Sequence, residues 1–235
     1  MRNLELCGVS QRYGSRTVLR DITLSLKAGS CTMLYGSNGA GKSTVLRLAA
    51  GRERPSAGCV ELDGRLVREE DVYSRTRIAA VLGPPACYPD LTVEEHFLLI
   101  ATSHGSRDAP KVAQSIVDQL GLATHSDSLP FQLSAGLMQL VALGSALARP
   151  REVLLLDEPE QHLDVSRRQS LIEWVAEDLR AGVAVMIATH DPQLVAALAD
   201  DVAVLEEGHL VARGRPADLV QRGGAAHCIF CGQTR

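Results

Sequence analysis

No apolar run in these 235 residues reaches the length of about 18 that crosses a bilayer, so attachment to a membrane would have to come through a partner. The opening residues Met1-Arg2-Asn3-Leu4-Glu5 place an acid early and carry no secretory h-region, which gives the expectation of a cytoplasmic chain. A basic excess is missing too. With 24 Lys and Arg against 28 Asp and Glu the net charge is −4, and no nucleic-acid partner is expected. Internal repeats and low-complexity tracts are absent. Paired cysteines are scarce: Cys7, Cys31, Cys59 and Cys87 are scattered through apolar stretches and read as small buried hydrophobes. Cys228 and Cys231, with His227 beside them, have C-x-x-C spacing, but no second ligand pair completes a tetrahedral zinc site. The stretch 226–235 therefore reads as a frayed terminal tail. What remains is 46% hydrophobic, enough for a full core and against disorder.

The pattern of apolar residues divides the chain. Leu4, Leu6, Val18, Ile22, Leu24 and Leu26 alternate as antiparallel strands do, and Gly58 to Val67 reads as a hairpin turned at Asp63-Gly64. Ile78 to Leu82 is a buried strand. After Gly83-Pro84-Pro85 the periodicity becomes helical to about Ala148, with a T-x-x-E capping box at Thr92 and a helix over Lys111–Leu120 stopped by Gly121. Strand and helix then alternate: Val153–Leu156, the amphipathic Ser166–Arg180 with Leu171, Ile172, Val175 and Leu179 on one side, and Val183–Ala188. A helix opened by Asp191-Pro192 follows, then a hairpin over Val202–Val211 turned at Glu206-Glu207-Gly208. Wholly apolar strands alternating with helices imply a parallel sheet covered on both faces. The architecture expected is α/β, one domain over 1–225 with an antiparallel β region first and a helical lobe inserted near 84–148.

Two motifs carry the chemistry. Gly36-Ser37-Asn38-Gly39-Ala40-Gly41-Lys42-Ser43, with Thr44 behind, fits G-x-x-x-x-G-K-[ST] between a strand (Ser30–Tyr35) and a helix (Lys42–Ala50). Its backbone N–H groups form an anion nest, Lys42 reaches the β- and γ-phosphates, and the Ser43 hydroxyl ligates Mg²⁺. The apolar strand Val153–Leu156 runs into Asp157 and Glu158. In an open parallel sheet ligands bind beyond the carboxyl ends of strands, which puts Asp157 by the phosphate loop as a Mg²⁺ ligand and Glu158 beside it as a general base. His190 follows the strand ending at Thr189 and should open at the same edge, where a neutral imidazole can bond a γ-phosphate oxygen and the attacking water.

With these motifs in hand, nearly the whole chain resembles the ATP-binding cassette (ABC) ATPases. Tyr13 stands at the position of the adenine-stacking aromatic, Gly36–Thr44 at the Walker A loop and Val153–Glu158 at the Walker B strand. Leu133-Ser134-Ala135-Gly136-Leu137 stands at the signature, Leu163-Asp164 at the end of the D-loop and His190 at the switch histidine. The resemblance implies a P-loop NTPase core with a mostly parallel sheet, an N-terminal antiparallel β subdomain and an inserted helical subdomain. It also implies ATP and Mg²⁺ as ligands, and a second cassette whose nucleotide is met in trans by Ser134, the Gly136 N–H and the helix N-terminus behind them. Separately encoded transmembrane permease subunits would dock on the helical lobe and hold the chain peripherally at the inner face of the cell membrane. A soluble, non-transport ABC ATPase and a weakly catalytic half of an asymmetric pair are the alternatives.

Three departures from the family pattern are visible. The family's glutamine at the junction of core and lobe, six residues before Pro89, is Gly83 here, and no glutamine lies between Gln11 and Gln114. Slower turnover or looser coupling is the expected result. The signature reads Leu-Ser-Ala-Gly-Leu, in which Ala135 is tolerable if its φ is negative and Leu137 lacks an amide. Glu160-Gln161-His162 replaces small residues in the D-loop and is expected to add bulk and charge at the cassette interface.

Overall fold

The computed structural model describes residues 3–221. In chain order its first part holds β1 (Asn3–Tyr13), β2 (Arg16–Lys27), β3 (Cys31–Tyr35), α1 (Lys42–Ala49), β4 (Ala57–Leu62) and β5 (Arg65–Leu66). The middle holds α2 (Val72–Arg77), β6 (Ile78–Val81), α3 (Val93–Ser103), α4 (Ala109–Gln119) and α5 (Ala135–Leu147). The last part holds β7 (Val153–Asp157), α6 (Val165–Arg180), β8 (Ala184–Ala188), α7 (Pro192–Leu198), β9 (Asp201–Glu206), β10 (His209–Gly214) and α8 (Pro216–Gln221).

Two sheets result. The alternating residues near the N-terminus make an antiparallel sheet of order β2-β1-β4-β5. The wholly apolar strands make a six-stranded sheet of order β10-β9-β3-β8-β7-β6, parallel throughout except for the β9–β10 hairpin. Successive side chains of a strand point to opposite faces, and the core divides accordingly. Met33, Leu154, Leu156, Val185 and Ile187 pack with Phe97, Leu140, Trp174 and other residues of α3 to α7. Leu34, Val153, Leu155, Met186 and Ala188 pack with Val45, Leu46, Leu48 of α1 and with the apolar rows of β1 and β2.

The register places the site. Leu34 pairs with Ala188, and Asp157 pairs with Ala188 on that residue's other side. Three strands thus end in one row, and the segments after Tyr35, Asp157 and Ala188 leave the sheet as neighbours. Among helix starts, the Thr92 capping box forms with Glu95, and Asp191 caps α7 through the Gln193 N–H.

Two expectations need correction. Of the scattered cysteines Cys31 alone is buried; Cys7, Cys59 and Cys87 are half-buried, and Cys7 faces Cys59 across β1 and β4. Cys228 and Cys231 lie outside the described residues. On α6, Leu171 and Val175 are buried as expected, while Ile172 and Leu179 are only partly covered, and Trp174 and Asp178 share the buried face. Asp178 is tolerated there because Arg151 binds it with two hydrogen bonds of 2.5 and 2.6 Å.

Candidate active site

β3 hands the chain to the phosphate loop, and α1 takes it up at Lys42. Gly41 stands at the N-cap with φ +108° and offers no side chain, so the first N–H groups of α1 are left for a ligand. A Cβ on Gly36 would lie 2.3 Å from the Leu205 carbonyl oxygen, and one on Gly41 would lie 2.5 Å from Leu19 Cδ2. Glycine is thus required at Gly36 by the backbone of β9 and at Gly41 by its left-handed φ, in addition to any phosphate. Lys42 is buried, and its Nζ donates to the carbonyls of Gly36 at 2.7 Å and Ser37 at 3.2 Å, so the amine lies across the loop it serves. Ala40 and Thr44 are buried, and Thr44 Oγ1 accepts from Arg47.

At the end of β7 the Asp157 carboxylate is hydrogen-bonded to Ser43. Burial raises its pKa above the ordinary aspartate value and neighbouring Glu158 adds to that, opposed by the Ser43 bond and by Lys42 and Arg47. A hydroxyl and a carboxylate side by side at the mouth of a phosphate loop suit Mg²⁺, which keeps its waters and takes few protein oxygens. Among the described residues no cluster of three or more His, Cys, Asp or Glu could cage an ion.

Glu158 has φ +46°, a left-handed conformation uncommon for a residue with a side chain, and its N–H donates to the Ala188 carbonyl at 2.8 Å. The turn this creates brings Glu158 Oε1 to 3.7 Å from His190 Nδ1, while Gln161 Nε2 donates to Glu158 Oε2. Asp157, Glu158, Lys42 and Ser43 line an open cleft of about 890 Å³ together with Tyr13, Asn38, Gly39, Gly83, Gln161 and His162. Tyr13 is exposed, and its hydroxyl donates to Glu53, which also binds Arg47 at 2.6 Å. Its ring is thereby held at the edge of the cleft.

The segments that depart from expectation are also fixed. Gly83 has φ +75° with open space where a Cβ would go. Ser134 caps α5 by accepting the Leu137 N–H, and Ala135 is not among the residues of positive φ. Gly136 cannot carry a side chain, since its Cβ would lie 2.6 Å from the His162 carbonyl oxygen. Leu137 is buried in the core. Neither Ser134 nor Gly136 lines this chain's own cleft. The D-loop expectation fails for Glu160. It adds no bulk to a surface but turns inward, 3% exposed, accepting the Thr189 hydroxyl.

A family model for ABC transporters matches residues 19–161, most of the chain. The chain belongs to the ABC transporter family. Its place there is that of the ATP-binding, ATP-hydrolysing subunit. It is 37% identical to the aliphatic sulfonates import ATP-binding protein of Burkholderia lata, over 96% of this chain and 67% of that one. To the Nod factor export ATP-binding protein I of Burkholderia orbicola it is 31% identical, over 93% of this chain and 72% of that one. The solved structure of an ATP-binding subunit of an ABC transporter superposes with a TM-score of 0.87 at 26% identity, covering 97% of this chain and 98% of that one.

Within this ABC ATPase several residues in and around the cleft escape a motif reading. Glu53 stands 40 residues from Tyr13, and only the fold joins them. Gln139, buried on α5, donates to the Pro159 carbonyl at 3.2 Å and ties the turn after Glu158 to the signature helix. The Glu160–Thr189 bond links the D-loop to the segment after β8 that carries His190. No spacing rule announces these contacts. Their one sequence signal is that Glu160-Gln161-His162 departs from the family's small residues.

Proposed function

We propose that this chain hydrolyses ATP in the cleft at the ends of β3, β7 and β8, and that the cycle of closure and release between two cassettes drives transport. Tyr13 stacks on adenine. The backbone of Gly36, Ser37, Asn38, Gly39, Ala40 and Gly41 cradles the phosphates, with Lys42 set against the β- and γ-oxygens and Thr44 anchoring the start of α1. Ser43 and Asp157 would hold Mg²⁺, which when bound neutralises charge on the β- and γ-oxygens. Glu158 takes a proton from the attacking water, and His190 orients that water against the γ-phosphate. Ser134, exposed at the start of α5, faces a second cassette with the Gly136 backbone behind it, and loss of the γ-phosphate removes what holds the pair shut.

The observation that carries this reading is the strand register. Leu34, Ala188 and Asp157 end in one row, so the phosphate loop and the two acids open into the same cleft, while His190 does not line it and is tied to it through Glu158, 3.7 Å away. The partners are a second cassette and transmembrane permease subunits, met through the helices between β6 and β7 (the stretch 84–148), with the chain on the cytoplasmic face. The net charge of −4 fits that role and not nucleic-acid binding. A second reading, an ATP-binding half with slow turnover, draws on Gly83, which brings only backbone to the cleft.

The Glu158→Gln variant tests both. Steady-state hydrolysis should fall at least about 100-fold, the usual worth of a general base, while ATP binding by calorimetry persists. Light scattering with Mg-ATP should show a dimer. Retained hydrolysis would move the base elsewhere. A monomer that binds ATP would favour the asymmetric reading.

A further inference from the structure

The segment Pro159–His162 is pinned at both ends. At one end the Asp191 N–H donates to Thr189 Oγ1 at 2.9 Å, so the Thr189 proton points the other way, into the buried Glu160 carboxylate. At the other end His162, with φ +62°, sets its carbonyl against Gly136. Between them the Gln161 N–H donates to the Glu158 carbonyl at 3.1 Å, closing a tight turn. That turn lays the Gln161 carboxamide on the Glu158 carboxylate, Nε2 on Oε2. The other oxygen, Oε1, faces His190 Nδ1 across 3.7 Å.

We propose that Gln161 is a positioning residue for hydrolysis, binding one oxygen of the Glu158 carboxylate so that the other is presented to the attacking water. The proposal rests on reading Glu158 as the base. The chemistry favours an amide in this place. A carboxylate on two methylenes turns freely unless one oxygen is held, and a misplacement of about 1 Å can cost two orders of magnitude in rate. An amide N–H holds that oxygen without exchanging a proton, and being neutral it leaves the negative charge of the base in place, where a lysine or arginine would pair with it. The proton from water goes to Oε1, and Gln161 gives up none. Glu160 anchors the turn through one buried carboxylate oxygen, and Gln161, itself exposed, takes its direction from that turn.

The experiment is steady-state ATP hydrolysis by the full chain carrying Gln161→Ala, Gln161→Glu, Glu158→Gln or the Glu158→Gln/Gln161→Ala pair. Gln161→Ala should lower kcat about tenfold with KM for ATP unchanged, because positioning acts on the chemical step. Gln161→Glu keeps the length, removes the donor and sets a like charge against the base, so its kcat should fall at least as far. The double variant should be no slower than Glu158→Gln alone, as coupled residues are not additive. Parental kcat in Gln161→Ala, a loss confined to KM, or additive losses in the double variant would each overturn the proposal while leaving Glu158 as the base. Hydrolysis by Glu158→Gln at the parental rate would overturn both.

Discussion

The wall of the cleft built from Gly36–Thr44 and Asp157 is held by strand register and backbone contact, whereas in the wall built from Gly83–Pro85 and Pro159–His162 the second stretch depends on side-chain bonds as well as on its own turn. On the first wall Lys42, Ala40 and Thr44 are buried, and Gly36 touches the backbone of β9. On the second, Gln161 and His162 are exposed, and beside the turn's own backbone bond the side-chain bonds Thr189–Glu160, Gln161–Glu158 and Gln139 to the Pro159 carbonyl set its course. A backbone-built wall can change only by unfolding its neighbours, so it keeps the motif. A wall built of side-chain contacts can vary while the sheet stays intact, and it is here that this chain departs from its family. The departures are compensated locally: Leu137 fills the core, Glu160 anchors a turn and Gln161 finds the catalytic carboxylate.

The hardest test of this contrast is Gly36→Ala. With a Cβ 2.3 Å from the Leu205 carbonyl oxygen, β9 or the loop must shift, at a cost of about 3 kcal/mol or more of the kind seen for strained backbone and overpacking. ATP binding should be lost, and the melting temperature should drop by about 6 °C or more, since 1 kcal/mol moves a chain of this size by roughly 2–4 °C. Unchanged binding and melting would show the first wall to be as adaptable as the second.

Gly83→Gln addresses the second wall and should have a smaller effect. Its φ of +75° makes any side chain unfavourable by about 1–2 kcal/mol, but nothing lies within 4 Å of the new Cβ, so the chain folds. Compared against Gly83→Ala, which carries the same backbone strain, the glutamine amide should raise ATP turnover about fivefold, the worth of one hydrogen bond of roughly 1 kcal/mol to the attacking water. Equal rates in the two variants would mean that the absent amide has no catalytic consequence.

The same contrast explains what could be read before the fold was known. The phosphate loop, the strand ends and the helix caps were legible because backbone geometry imposes residue types there. Small flexible residues wrap an anion, apolar runs fill a two-sided sheet, and Asp or Thr caps a helix. Glu160 was not legible. Its inward turn follows from left-handed φ at Glu158 and at His162, two residues that give no glycine signal. Asp178 on α6 escaped for a similar reason: its burial depends on Arg151, 27 residues away. Cys7 and Cys59 sit in apolar stretches, yet they lie on the half-exposed row of their strands, a matter of register and not of composition.

The smallest effect is expected away from both walls, at His96 on α3. Ser145 Oγ donates to the Val141 carbonyl at 2.8 Å, so it must accept from His96, which places the imidazole proton on Nε2 at 2.9 Å. The other nitrogen, Nδ1, is buried and has no hydrogen-bond partner among the described residues. Protonating it would bring a charge into the packing of α3 against α5, and burial accordingly lowers the histidine pKa below its ordinary 6.5. The sign follows from proton binding. Below that ordinary value the unfolded chain takes up a proton that the folded chain resists, so stability is complete above about 6.5 and is lost as pH falls through it. His96→Gln keeps a donor for Ser145 and cannot titrate. Between pH 7.5 and 5.5 its melting temperature should therefore fall less than the parent's. ATP hydrolysis at pH 7.5 should not change. Parallel melting curves would show that the α3–α5 contact accepts the proton, and would place this helical packing with the adaptable wall of the cleft.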